Sequence, residues 1–117
     1  MLAGVVTVDD VRGWVVDLPR SYEVLVHDRI KFRVGSMVYV AFSRDEREMG
    51  LGFPKEERAD AVANRPEVFA LPGESDLRFH WIVVHLDAVD PDELHELVLD
   101  AWRMVVPKKV AREHLGL

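Results

Sequence analysis

The chain has 117 residues, 49% hydrophobic and 31% charged, with no cysteine and a formal net charge of −6. This composition describes one folded domain over residues 1–117 and excludes a disordered chain, disulfides, thiolate metal sites and cysteine nucleophiles. The longest uncharged stretch, Val34 to Ser43, is too short to span a bilayer, and the first eight residues lack a basic lead; no membrane partner and no signal peptide are read, and a cytoplasmic location is expected.

Thr7-Val8-Asp9-Asp10 is a helix start with a hydroxyl cap and a carboxylate three residues on. Val8, Val11, Trp14, Val15 and Leu18 then recur at helical spacing, and Pro19 ends the helix. Tyr22 to His27 predicts a short strand and Asp28-Arg29 a break. Ile30–Val34 and Met37–Ser43 predict two strands joined by Gly35-Ser36, a glycine-first turn suited to a tight hairpin. Glu48–Phe53 predicts another strand. From Pro54 to about Asn64 a helix is expected, with proline at its first position and Glu56 and Glu57 at its positive end. Val68–Leu71 reads as an edge strand, Pro72–Asp76 as a loop, and Phe79–Leu86 as a strand. Asp90-Pro91-Asp92-Glu93 is the strongest helix start in the chain. Leu94, Leu97, Val98, Ala101, Trp102 and Val105 make that helix's core face before Pro107, and Lys108–Leu115 reads as a last short helix. Strand runs with hairpin turns predict an α+β domain with an antiparallel sheet, its helices covering one face.

Charge is unevenly spread. Residues 1–47 carry 7 basic and 7 acidic side chains, residues 48–106 carry 5 and 13, and residues 107–117 carry 3 and 1. Nucleic-acid binding needs a cationic face, so any such face must come from the N-terminal half and the tail. On the strand, Arg29, Lys31 and Arg33 alternate with Ile30, Phe32 and Val34, which puts the three cations on one face. A two-residue turn would set Arg33 opposite Val38, Lys31 opposite Val40 and Arg29 opposite Phe42. Such a row beside an aromatic suits a phosphate backbone and an exposed base. The plainer reading is a solvated sheet face whose long stems cover valines. Lys108 and Lys109 offer a second phosphate contact; the plainer reading is that they complement the negative end of a helix closing near Val106. His80 and Trp81 are candidates for a pocket wall, against a packing role for the indole.

Enzyme signatures are lacking. Ser21, Ser36, Ser43 and Ser75 sit in no nucleophile pattern, and Gly35, Gly50 and Gly52 make no phosphate loop. Asp92, His95, Glu96 and Asp100 share a helix surface, but no second ligand cluster completes a metal site. No cofactor, metal or catalytic residue is assigned.

Several segments resemble one family in collinear order: Lys31–Phe42, Pro66-Glu67-Val68-Phe69, His80–Leu86, Val89–Leu94 and Ala101–Val110. On these the chain is similar to the MmcQ/YjbR-like family over nearly its whole length. The resemblance implies a two-layer α-β3-α-β2-α domain with a secretion-chaperone-like fold. It also implies a non-catalytic protein that binds double-stranded DNA through a double-wing arrangement. An alternative drawn from the same fold likeness and the acidic charge is a protein- or peptide-binding module, as monomer or homodimer. The chain departs from the family pattern in having Gly35-Ser36-Met37 where members often carry a glycine pair and a lysine. It also has Ser75–Phe79 where they often carry an aromatic, glycine-bearing loop.

Overall fold

The computed structural model describes residues 5–117; the first four positions, part of the stretch read as lacking a signal peptide, lie outside the described residues. The elements in order are α1 (Val8–Val15), β1 (Ser21–Val26), β2 (Arg29–Val34), β3 (Met37–Phe42), β4 (Glu48–Gly52), α2 (Arg58–Asn64), β5 (Phe69–Ala70), β6 (Trp81–His85), α3 (Pro91–Arg103) and α4 (Lys108–Leu115). All strand pairs are antiparallel, in the order β1-β2-β3-β4-β6-β5. The α+β class follows, with four strands rather than three before α2.

Capping fixes the helix starts. Thr7 Oγ1 accepts from Asp10 N at 3.2 Å while Thr7 N donates to Asp10 Oδ2 at 2.9 Å, the reciprocal box that satisfies two otherwise free donors. Asp90 Oδ2 accepts from Glu93 N at 3.1 Å, with Pro91 next in line. A single core forms where one face of the sheet meets three helices. Val8, Val11 and Val15 of α1, Leu94, Val98, Ala101 and Trp102 of α3, and Ala111 of α4 pack with Phe32, Val40, Phe42, Met49, Leu51, Ile82 and Val84 of the strands. Trp102 is fully buried, and its Nε1 donates to Pro19 O at 3.0 Å, tying α3 to the turn after α1. An indole N–H without that partner would be costly to bury.

Alternation leaves the other sheet face open. Along β2, Phe32 and Val34 are buried while Arg29, Lys31 and Arg33 are only partly so. Along β6, Ile82 and Val84 are buried, and Trp81, Val83 and His85 project the other way.

Helix α1 closes at Val15 rather than running through Leu18 to Pro19, and four further differences from the sequence reading bear on the open face. The β1–β2 turn is His27-Asp28, both at positive φ (50° and 64°), so Arg29 starts β2 rather than ending a break. Asp and His are among the residues that tolerate this left-handed region. Pro54–Glu57 forms a separate turn, closed by Glu57 N donating to Pro54 O, and α2 begins only at Arg58. Phe79 and His80 belong to the loop, where Phe79 N donates to Asp76 O at 3.0 Å. Finally, α3 closes at Arg103: Val105 N turns back to Trp102 O, and Val105 packs half-buried against the core from just beyond the helix.

Candidate nucleic-acid interface

The hairpin Ile30–Phe42 turns where expected, with Gly35 at φ 59° and Val34 opposite Met37. Glycine carries no Cβ penalty at that first turn position. The pairing then departs from a regular ladder. Arg33 faces Val38, but a bulge between Phe32 and Arg33 sets Phe32 against Val40 and Lys31 against Ala41. The expected pairings of Lys31 with Val40 and Arg29 with Phe42 are therefore corrected by one residue. The extra residue is Tyr39, which turns inward with Val40; both are fully buried, and the Tyr39 hydroxyl hydrogen bonds to Ser21 Oγ. Burial pushes the Tyr39 phenol above its ordinary pKa. No local signal announces a bulge, because Tyr39 continues an unbroken β-forming run.

This shift changes the surroundings of the cationic row. The Phe42 ring is fully buried on the helix side, and only its carbonyl meets the row, accepting from Arg29 Nε at 3.0 Å. The neighbours of Lys31 across the open face are instead small. Lys31, Ala41, Gly50 and Val83 follow one another across β2, β3, β4 and β6. Among the described residues, the side chains of Lys31 and Arg33 make no hydrogen bond or ion pair, and Arg33 Nε is covered without a partner. Of the strand carboxylates, Glu48 of β4 is engaged by His85, at 3.1 Å between Oε2 and Nδ1, and Glu23 of β1 by Arg12.

A cavity of about 550 Å³ lies between the hairpin tip, the end of α3 and the loop before β6. Arg29, Lys31 and Ala41 line it from the sheet, Met37 from the hairpin, Met104 and Val105 from the helix end, and Asp76 to Trp81 (Leu77 excepted) from the loop. A smaller cavity of about 160 Å³ adjoins it, with Arg29, Asp76 and Trp81 common to both. The two form one groove over the open face. The aromatic company of the cations comes from Trp81 and Phe79, forty or more residues away in sequence. Gly50 explains the position of Trp81. A Cβ on Gly50 would stand 2.4 Å from the indole Nε1 and 2.7 Å from Cε2, so the ring rests in the space a side chain would fill.

The loop is held from α2. Arg58 donates to the carbonyls of Leu77 (2.6 Å), Phe79 (2.9 Å) and Trp81 (3.2 Å). Lys55 N donates to His80 Nδ1 at 3.0 Å, and Lys55 Nζ reaches Arg78 O at 3.4 Å. His80 thus lines the cavity while its Nδ1 serves as an acceptor that anchors the loop. Neither Arg58 nor Lys55 stood out in the sequence; their position two to five residues after Phe53 gives no hint of partners 19 to 25 residues downstream. The guanidinium of Arg78 lies over the Phe79 ring, 4.7 Å from its centroid.

Lys108 and Lys109 do not line the cavity. They open α4 rather than close α3, so the expectation that they complement a negative helix end is corrected; Arg103 holds that place. Lys109 Nζ stands 4.0 Å from Glu113. Lys108 follows Val105 by three residues, so at most roughly 11 Å of backbone separates it from the groove's rim. The helix-surface group of Asp92, His95, Glu96 and Asp100 forms no metal cluster among the described residues, and His95 instead stacks on Trp14 at 4.8 Å with an 8° interplanar angle.

An antiparallel sheet with helices on one face, and a groove carrying cations and aromatic rings on the other, define the α+β class. The YjbR family model matches residues 16–104, and the chain belongs to the YjbR family. Among solved structures it is similar to protein DR2400 of Deinococcus radiodurans, which carries a DUF419 domain. The two are 26% identical with a TM-score of 0.78, and the alignment covers 100% of this chain and 93% of that one. No curated protein matches the chain. No helix among the described residues is long and apolar enough to cross a membrane.

Proposed function

We propose that the protein is a non-catalytic nucleic-acid-binding protein that grips phosphates with Arg29, Lys31 and Arg33 on the open sheet face. The observation that carries this reading is the state of those cations. They stand side by side on one face, and none is neutralised by a carboxylate among the described residues. Guanidinium and ammonium groups without a carboxylate partner, on the open face and in part lining the groove, are what phosphate contacts require. Lys108 and Lys109 extend the positive surface from the first turn of α4, where the helix's own N–H groups add to it.

The test is affinity for a labelled DNA oligonucleotide, offered as single strand and as duplex, over a range of salt. Binding must weaken steeply as salt rises, and Lys31→Gln or Arg33→Gln should each reduce the log–log slope by about one. Absence of salt-dependent binding to both forms at low salt sinks the reading.

A second reading, capture of a protein or peptide, is favoured by one feature. Met37, Leu77, Phe79 and Met104 are exposed at or beside the groove, and clustered apolar side chains at a surface mark interaction sites. Phe79-dependent binding of an apolar peptide, with no binding of either DNA form, would select it.

A further inference from the structure

We infer that the groove is built for a single strand, with an unpaired base seated against Trp81 and Phe79 while its phosphates lie on Arg29 and Lys31. The inference rests on the phosphate-binding reading above and narrows its ligand.

Shape is the first argument. The main cavity, at about 550 Å³, falls in the range that encloses a small ligand rather than a shallow contact for a convex duplex backbone. A base stacked and paired in a duplex cannot enter it; an unstacked one can. The adjoining cavity past Trp81 continues the groove on that side, giving a strand room to run on.

Chemistry is the second. Aromatic platforms beside a cationic track are the general device for single strands, because every base has a π face. Phe79 is 50% exposed, although its neighbour Ile82 in β6 is fully buried. The Arg78 guanidinium lies over that ring, 4.7 Å from its centroid, and the half that remains exposed is what a base would cover. Arg29 and Lys31 supply the positive charge, and Asp76 supplies one acceptor suited to a base amino group.

Preorganisation is the third. The bonds from Arg58 to the loop carbonyls of Leu77 and Phe79 and to the β6 carbonyl of Trp81 fix the backbone that carries both rings. Gly50 gives Trp81 its seat against the sheet. Rings held in place before binding lose little entropy when a base arrives.

The experiment uses the full chain and fluorescence anisotropy with a labelled pyrimidine strand of about 12 nucleotides, alone and annealed to its complement. The single strand should bind at least about tenfold tighter. Phe79→Ala should weaken single-strand binding by roughly tenfold while leaving the salt slope unchanged, and Phe79→Tyr should restore it. Gly50→Ala, which displaces the Trp81 indole without altering charge, should also weaken the single strand selectively. An unchanged melting temperature for Phe79→Ala confirms that an exposed ring, not the core, was removed. Equal or tighter duplex binding, with Phe79→Ala neutral, overturns the inference and leaves the phosphate-binding reading standing. No salt-dependent binding of either form overturns both.

Discussion

Arg58 shows how one side chain can set the geometry of a site it does not line. Its guanidinium offers donors in a fixed fork, and three of them meet carbonyls of Leu77, Phe79 and Trp81. Lysine has three donors on a single nitrogen and cannot span that set. Arg58→Ala should therefore lower stability by about 1–2 kcal/mol, since the exposed carbonyls of Leu77 and Phe79 can turn to water and only the part-buried Trp81 carbonyl loses more. The larger effect falls on function: a loosened loop costs ordering entropy when ligand binds. Denaturant melts and oligonucleotide titration should show Arg58→Ala reducing affinity, with Arg58→Lys recovering only part of it. An Arg58→Ala variant that binds as tightly as the parent would show that the loop needs no clamp.

At the scale of elements, two bidentate pairs link segments that touch little otherwise. Arg12 of α1 meets Glu23 of β1 through Nε–Oε1 at 2.9 Å and Nη2–Oε2 at 2.8 Å. Arg65, just past α2, grips Glu93 at the start of α3. Arg12 holds the Glu23 carboxyl below its ordinary pKa and Glu23 raises that of the guanidinium. A carboxylate depressed on folding contributes stability that is present above its unfolded pKa and lost as pH falls through its folded pKa. Glu23→Gln should thus flatten the acid limb of the stability–pH curve below about pH 4.5 while changing the melting temperature little at pH 2. The pair is exposed enough to be partly screened, so the effect is a modest one that high salt shrinks further. These elements were largely readable in the sequence because each rests on local chemistry: the Thr7 and Asp90 caps, the Gly35 turn and the apolar spacing of α3. The groove was less readable. Alternation placed Arg29, Lys31 and Arg33 on one face, but the bulge at Tyr39 and the pairing of β4 with β6 decide which side chains they meet. His80 and Trp81 could be singled out as a pocket wall, yet their relation to the cations, through Gly50, is a long-range consequence of strand order.

For the whole molecule, the question is how a chain of net charge −6 can attract a polyanion. Distance and screening answer it. At physiological salt, charges more than roughly 8 Å apart in solvent are largely screened. Asp92 and Glu96 lie in the first half of α3, whose far end reaches the groove through Met104. At 1.5 Å per residue they stand about 18 Å and about 12 Å along the helix from Met104. Their repulsion should act at low salt only. Asp76 lines both adjoining cavities, beside Arg29 in each and Lys31 in the larger, while Glu48, engaged by His85, lines the smaller. Two variants separate the contributions. The double change Asp92→Asn with Glu96→Gln should speed association at low ionic strength and have almost no effect near 0.15 M salt. Asp76→Ala should change affinity at both salt levels, by removing a local repulsion of phosphate, by removing an acceptor for a base amino group (which Asn would retain in its amide oxygen), or by both. The sign distinguishes them: tighter binding of every oligonucleotide alike means Asp76 acts as a charge. Weaker binding confined to bases that carry an amino group means it acts as a hydrogen-bond acceptor inside the cavity. If the α3 variant altered affinity as much as Asp76→Ala at 0.15 M salt, the ligand would lie on the helical side of the molecule and not on the open sheet face.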